Sequence, residues 1–310
     1  MATTTTGAPP RPMTLPGRSA GEQILVKTFV LIPFAALVAA VPVAWGWGLG
    51  WTDLVLAAVF YVVACLGVTV GYHRYFTHRA FKANRGLRIA LAIAGGMAAQ
   101  GPVISWVADH RRHHAFSDRE GDPHSPWAHG TGPAGLAKGF WHAHMGWLFE
   151  RVSTNAERFA PDLLADKDIR AVDRLSALWL GLSLGLPPVL GGLISWSWWG
   201  ALTAFFWASL VRVSFLHHVT WSINSICHLV GSRPFTSRDK AANFWPLAIL
   251  SMGESWHNSH HADPTCARHG VLRGQVDISA GVIRIFEKAG WATDVRWTNP
   301  ERLARISAGT

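Results

Sequence analysis

"IALAIAGGMAAQGPVISWVA", residues 89–108, is uncharged and twenty residues long. At about 1.5 Å of rise per residue, a helix of that length crosses the ~30 Å hydrocarbon core of a bilayer. Whether it does so decides if the chain has an odd or an even number of spans. That in turn decides which distant residues lie on the same side of a membrane. Hydropathy alone counts the stretch as a span, so the residues around it must settle the matter.

The surroundings have a membrane composition. Of 310 residues, 49% are hydrophobic and only 15% charged, which is too apolar for an ordinary soluble domain. Seventeen Trp against three Tyr fit anchoring at a membrane interface, where indole offers an apolar body and one N–H. Residues 28–51 and 54–72 carry no charge, and Asp53 with the Trp-rich segment 45–51 lies between them. This predicts a helical hairpin with spans at 28–48 and 54–72. The uncharged run 175–211 is too long for one span and must fold back near 195–200, giving a second hairpin at 175–195 and 200–220. Pro187 and Pro188 predict a kink in its first arm.

Basic residues set the orientation. Fourteen Lys and Arg lie within 73–175 and ten within 233–305, whereas neither hairpin turn has any. Under the positive-inside rule the turns face outward, and the segments 73–174 and 221–305 form a cytoplasmic cap. Arg212, in the last turns of a span, is expected to snorkel to the interface. The net charge of +9 sits beside long apolar runs, which fits anionic lipid or substrate better than nucleic acid. The three cysteines form no C-x-x-C pair, so neither a zinc ribbon nor a disulfide framework is implied. Residues 1–22 read as a disordered tail, and 23–305 as one domain without internal repeats.

Sixteen histidines are many for so apolar a chain. "GYHRYFTHRAF" (71–81) contributes His73 and His78. "DHRRHHAFSD" (109–118) contributes His110, His113 and His114. "WSINSICHLVG" (221–231) contributes His228, with Asn224 one helical turn before it. "ESWHNSHHADP" (254–264) contributes His257, His260 and His261, repeating the i, i+3, i+4 spacing of the second group. That spacing puts three rings on one helical face. Nine neutral imidazoles converging on one place are costly to desolvate, and they repel one another if protonated. Bound cations resolve both problems. One ion takes about four to six ligands, so nine histidines predict two ions, with Asn224 placed to hold a water.

The same requirement settles residues 89–108. If they crossed the bilayer, His73 and His78 would lie ~30 Å from His110, and no shared site could form. They are therefore expected as a helix buried against the cap or lying at the interface, which leaves four spans. The predicted architecture is an all-α integral membrane protein. It has four transmembrane helices in two hairpins and a cytoplasmic helical cap holding a histidine-rich dimetal site. Imidazoles without thiolates suit Zn, Cu, Fe or Ni; nine of them argue for a dinuclear redox centre, and its place above apolar hairpins argues for a lipid-derived substrate.

The boxes "HRYFTH", "HRRHH" and "HNSHH", with "NSICH" between the last two, closely resemble those of the membrane fatty-acyl desaturases of the carbon-nine, stearoyl-CoA type. The resemblance covers roughly 25–300, and "GESWHNSHHADPTCARHG" (253–270) and "DVRW" (294–297) look like bacterial members. It implies a di-iron centre on the nine histidines, with Asn224 contacting iron through water and O2 as co-substrate. It implies a cis double bond between carbons nine and ten of a saturated chain of sixteen to eighteen carbons. Gln100, Trp106 and Thr220 fall where the family shapes the bend of its acyl tunnel, and Tyr61 where the methyl end is capped. Animal members carry Asn, Arg and Lys around the CoA headgroup, where this chain has Gly101, Ala108 and Val152. Asp109, Arg151 and Trp221 remain as headgroup contacts, and the carrier is an acyl thioester or an acyl lipid. No fused b-type cytochrome domain is expected, so electrons come from a separate ferredoxin-type or flavin donor. The location implied is a bacterial cytoplasmic membrane.

The other seven histidines, His124, His129, His142, His144, His217, His218 and His269, lack repeated ligand spacing and are assigned outer-shell, interfacial or solvated positions. A membrane di-iron hydroxylase is the rival function; it differs in whether oxygen stays on the product. Transporters and haem proteins place histidines within spans, whereas these clusters sit beyond the span ends.

Overall fold

The computed structural model describes residues 11–307. Four helices are long and apolar enough to cross a membrane: Ala20–Trp45, Trp51–Thr77, Ser176–Ser195 and Trp198–His228. They form two hairpins. Helix α1 (Ala20–Trp47) turns into α2 (Trp51–Leu66), which continues in π-helical form through Gly67–Thr77. The second hairpin pairs α6 (Ser176–Ser195) with α7, made of Trp198–Ala204, the π-helical Phe205–Val211 and Arg212–Ser225. Asp53 joins the hairpin tips, accepting from Gly50 N–H (3.0 Å) and from the Thr203 hydroxyl (3.0 Å).

The spans run further than the uncharged stretches that announce them. The first begins at Ala20 because Ser19 and Glu22 form a capping box there, eight residues before the apolar run. The expected tail, 1–22, divides in two. Residues 1–10 lie outside the described part, but Thr14–Leu15 pairs antiparallel with Ser153–Thr154, so the chain is held from there onward. Backbone pairing with a partner strand outweighs the polar composition.

The stretch 89–108 does not cross. It is two helices, α3 (Arg85–Gly96) and α4 (Val103–Phe116), broken at residues 97–102 where Ala99 and Gly101 take positive φ of 58° and 100°. The break frees backbone carbonyls in an apolar setting, and buried donors from the second hairpin claim them. The Ser183 hydroxyl donates to Met97 O (2.6 Å), and His217 Nε2 lies 3.1 Å from Ala98 O. Arg212 belongs to the same network, and here the expectation of snorkelling fails. Its guanidinium is buried, bonding Ala208 O (3.0 Å), Ser183 O (2.8 Å) and Ser183 Oγ (2.9 Å), with Met97 O at 3.5 Å. Carbonyls at this depth satisfy its donors, so the side chain has no need to reach water.

Helix α3 lies hard against the π-helical end of α2. A Cβ on Gly67 would come within 2.2 Å of the Ala94–Gly95 backbone, and one on Gly95 within 2.3 Å of the Tyr72 ring. Only glycine permits this approach. Beyond the spans, α3, α4, α5 (Pro133–His144), short helical turns between 156 and 174, α8 (His257–Ala262) and α9 (Ile278–Lys288) form the cap. Its core joins Val70, Tyr72 and Phe76 of α2 to Leu87 and Leu91 of α3, Val103 and Val107 of α4, Ile169 and Ile283.

Candidate metal centre

Helix α4 starts where Pro102 ends the break, and Asp173 accepts the free N–H of Ile104 at 2.9 Å. Arg111 then ties α4 to the end of α2, donating to Phe76 O (2.6 Å) and Asp162 (2.6 Å). Across the site, Asn258 pins α8 by exchanging hydrogen bonds with the Phe235 backbone at 2.9 and 3.0 Å. These anchors bring the four histidine boxes to one place.

The nine rings separate into two clusters. Ligand atoms of His73, His78, His110, His114 and His260 lie within 4.8 Å of one another, as do those of His113, His228, His257 and His261. Helical spacing performs the sorting. On α4 the i, i+4 pair His110 and His114 faces the first cluster and His113 the second. On α8 the roles reverse, with His257 and His261 in the second cluster and His260 in the first.

Carboxylates behind the rings fix their orientation. His73 Nδ1 meets Glu254, His113 Nδ1 meets Asp122 (2.9 Å), His228 Nδ1 meets Asp118 (2.9 Å), and His261 Nδ1 meets Asp239 (2.7 Å). Glu254 is itself held by Arg74 Nε (3.0 Å) and Nη2 (2.9 Å), and Arg74 also pairs with Asp277. A ring that gives its Nδ1 proton to a carboxylate presents a bare lone pair at Nε2. His228 and His261 therefore both aim lone pairs at His257 Nε2, each at 3.1 Å. A single proton on His257 satisfies one of them at most. In the other cluster His260 Nε2 faces both His73 (3.1 Å) and His114 (3.0 Å), while His78 Nε2 and His113 Nε2 are buried without a partner. Converging lone pairs of this kind fit metal cations.

The electrostatics agree. Burial, followed by repulsion from neighbouring rings, holds His78, His110, His114, His257 and His260 well below the ordinary histidine value. Burial brings His261 down to about 4 despite Asp239. His113 goes the other way: burial lowers it, but Asp122, Asp118 and Asp239 outweigh burial. For Asp122 and Glu254 burial pulls upward, and the neighbouring His113 ring and Arg74 guanidinium respectively prevail and hold both carboxyls down.

A cavity of about 960 Å³ opens at the centre, with His73, His110 and His257 in its wall. Gln100, Trp106, Asp109, Thr220, Trp221 and Asn224 also line it. Trp106 Nε1 donates to Gln100 Oε1 (3.2 Å), Gln100 Nε2 donates to Thr220 Oγ1 (2.8 Å), and the Trp106 ring stacks on His110 at 5.1 Å. Two expected contacts fall elsewhere. Tyr61 is not in the wall; its hydroxyl donates to Leu250 O (2.7 Å) within a packed cluster. Arg151 is exposed, and its carbonyl accepts from Arg18 N (2.6 Å), while Arg18 itself lines the cavity.

Of the seven other histidines, two border the clusters. His124 stacks on His113 at 4.4 Å. His269 is buried 4.4 Å from His260 and 5.4 Å from His73 by ring centroids, close to Glu254. His144 and His218 pair at 2.9 Å beside Trp221, and His129 and His142 meet nearer the surface. Sequence reasoning passed over the orienting acids Asp118, Asp122, Asp239 and Glu254. The signal was a ligand histidine's need for an Nδ1 acceptor, with Asp118 and Asp122 just after the second box and Glu254 just before the last; nothing near His73 points to Glu254, and Asp239 lies eleven residues from His228.

The sequence profile of the fatty acid desaturase family matches residues 45–273. A hex-5-enoyl-[acyl-carrier protein] acetylenase of Moorena producens (strain JHB) is 40% identical over 87% of this chain and 86% of its own length. Delta-9 acyl-lipid desaturase 1 of Arabidopsis thaliana is 37% identical, covering 83% and 79%. The sn-1 stearoyl-lipid 9-desaturase of Anabaena variabilis is 33% identical, covering 86% and 91%. With paired imidazole clusters set beside an acyl-sized cavity and four helices fit to span a bilayer, this chain belongs to the fatty acid desaturases.

Proposed function

We propose that the chain is an oxygen-dependent di-iron desaturase placing a cis double bond between carbons nine and ten of a saturated acyl chain of sixteen to eighteen carbons. The observation that carries this is the pair of all-imidazole clusters, five rings and four, at the wall of a cavity that continues among the spans. Two irons there, with O2 and two electrons, would supply the oxidising power to remove two hydrogens from adjacent methylenes, with water as the by-product. His73, His78, His110, His114 and His260 would hold one ion, and His113, His228, His257 and His261 the other, with Asn224 placed for a bound water.

The protein's own task is geometric. Hydrophobic contact separates one methylene from the next by only ~1–3 kcal/mol, so position must be set by a fixed chain path. Trp106, Gln100 and Thr220 form a hydrogen-bonded ridge beside His110 that would bend the chain at the reacting carbons. Electrons would come from a separate ferredoxin-type or flavin donor on the cytoplasmic side. The named relatives act at carbon nine of lipid-bound chains or on a carrier-bound enoyl chain, so acetylene formation is the second reading.

Expression in a host lacking monounsaturated fatty acids, with double bonds located by mass spectrometry, tests both. A cis-9 monoene supports the proposal; a triple bond or a hydroxy acid overturns it. Tags near Gly50 and Gly200 should be reached only from outside the cell, and one near Gly130 only from the cytoplasm. Labelling at Gly130 from outside would overturn the orientation.

A further inference from the structure

We infer that the acyl chain reaches the metal centre sideways from the bilayer, through an opening between α1 and α6, so that its substrate is an acyl group still carried on a membrane glycerolipid. This rests on the desaturase reading and adds a route and a carrier to it.

The cavity that starts at His73 and His110 continues along two spans. Leu25, Phe29 and Val30 of α1 form one wall, and Ala177, Gly181 and Leu184 of α6 form the other. Val30 lies ten residues into α1 and Leu184 eight into α6, so this limb descends ~12–15 Å into a hydrocarbon core of ~30 Å. Helices α1 and α6 both pack on the π-helical segment 205–211 but scarcely on each other. No direct helix-to-helix seam closes the wall between them. Leu25 is 55% exposed although it lines the cavity, and Ala177 and Gly181 are exposed as well. Ala177 and Gly181, four apart on one helical face, leave a slot, and a Cβ added to Gly181 would meet nothing within 4 Å.

From the other direction the cavity is roofed. The strap before α1 crosses its polar end, with Leu15, Gly17 and Arg18 in the lining. Thr14 and Leu15 pair with Thr154 and Ser153, Asn155 N–H donates to Met13 O (2.9 Å), and Arg18 Nη1 donates to Leu148 O (2.7 Å). A soluble thioester would have to unpair this strap before threading its chain. A glycerolipid need not. Its chain is already at the level of Leu25, and its ester and headgroup would lie beneath the strap beside Arg18, Glu22 and Asp109. An apolar slot open to water would be costly, whereas one open to lipid is not.

The test uses the full-length, metal-loaded protein in vesicles of phosphatidylglycerol bearing a diazirine on one stearoyl chain, with labelled residues mapped by mass spectrometry. Gly181→Trp fills the slot, and Gly181→Ala is the control that space permits. Labelling at Phe29 or Leu184, reduced at least tenfold in Gly181→Trp and kept in Gly181→Ala, supports the opening. The expected parallel is at least a tenfold loss of vesicle-lipid desaturation in Gly181→Trp, with its iron content unchanged. Labelling confined to outward faces, or equal in Gly181→Trp, overturns the opening. So does wild-type enzyme that desaturates stearoyl-CoA or stearoyl-acyl carrier protein but not vesicle lipid. Slot-dependent labelling with no desaturation of any carrier would support the opening while sinking the desaturase reading.

Discussion

His260 and His114 bring their Nε2 atoms to 3.0 Å from helices 146 residues apart in sequence. Neither ring can be moved without disturbing the other, since each is fixed at its helix by the rest of its box. The contact joins α8 to α4, and a cation shared by the two lone pairs would hold it there. Removing His260 or His113 by alanine should therefore lower bound iron and abolish turnover in protein that still inserts. Full activity in both variants would sink the ligand assignment.

The acids behind the rings should matter nearly as much. Asp122→Asn and Glu254→Gln keep shape but remove the charge that orients His113 and His73. Each is expected to weaken metal affinity by about 10–100-fold. Competition with a chelator, read by iron content, measures this; wild-type retention in both would show the contacts to be incidental.

Acid should destabilise the metal-free protein. The folded state holds His78, His110, His114, His257, His260 and His261 below their ordinary value, so the unfolded chain binds more protons as pH falls. Stability contributed by these neutral rings is complete above the ordinary histidine range near pH 6.5. It is lost as pH falls from there towards the depressed values, which for His261 is about 4. Tm of the apo protein should drop from pH 7.5 to 5.5, since the six depressed rings outnumber His113, whose raised value works in the opposite direction. A flat profile through pH 5.5 would contradict the burial of these rings.

Arg212→Leu removes the donor from Ser183 O, whose helical partner Pro187 has no N–H, while Met97 O keeps the Ser183 hydroxyl. An orphaned buried acceptor costs about 1–3 kcal/mol. The variant should unfold at clearly lower temperature in detergent, and Arg212→Lys, with fewer and differently directed donors, should recover only part of the loss. An unchanged Tm would mean that Arg212 points elsewhere in the membrane.

Chain length should respond to the floor of the cavity. Leu184→Phe shortens the limb between α1 and α6 and should shift products towards shorter chains. Tyr61→Phe removes a hydrogen bond to Leu250 O, worth about 1 kcal/mol, and should leave the product profile unchanged. A profile that follows Tyr61 and ignores Leu184 would return the methyl-end cap to Tyr61.

Much of this was legible because it depends on local periodicity. Two H-x-x-H-H boxes report their helical faces directly, and uncharged runs locate the hairpins to within a few residues except where caps extend them. The demand that His73 and His110 share a site excluded a fifth span. What stayed hidden depends on contacts between distant segments. Nothing near Arg212 says that Ser183 and Met97 will offer it carbonyls. Nothing near Thr14 says that Ser153–Thr154 will pair with it. The split of nine rings into five and four also needed the crossing of α4 and α8, because spacing fixes a face but not what that face meets.

The break at residues 97–102 bears on how the protein is made. During synthesis the stretch 89–108 leaves the ribosome apolar and uncharged, while Ser183, Arg212 and His217, the donors that hold its broken backbone, are still untranslated. For that interval the junction between α3 and α4 lacks the groups that later meet its carbonyls at Met97 and Ala98, and water must serve instead. The junction should therefore stay hydrated until the second hairpin arrives and displaces that water. Chains stopped before residue 176 would keep this seam unsealed.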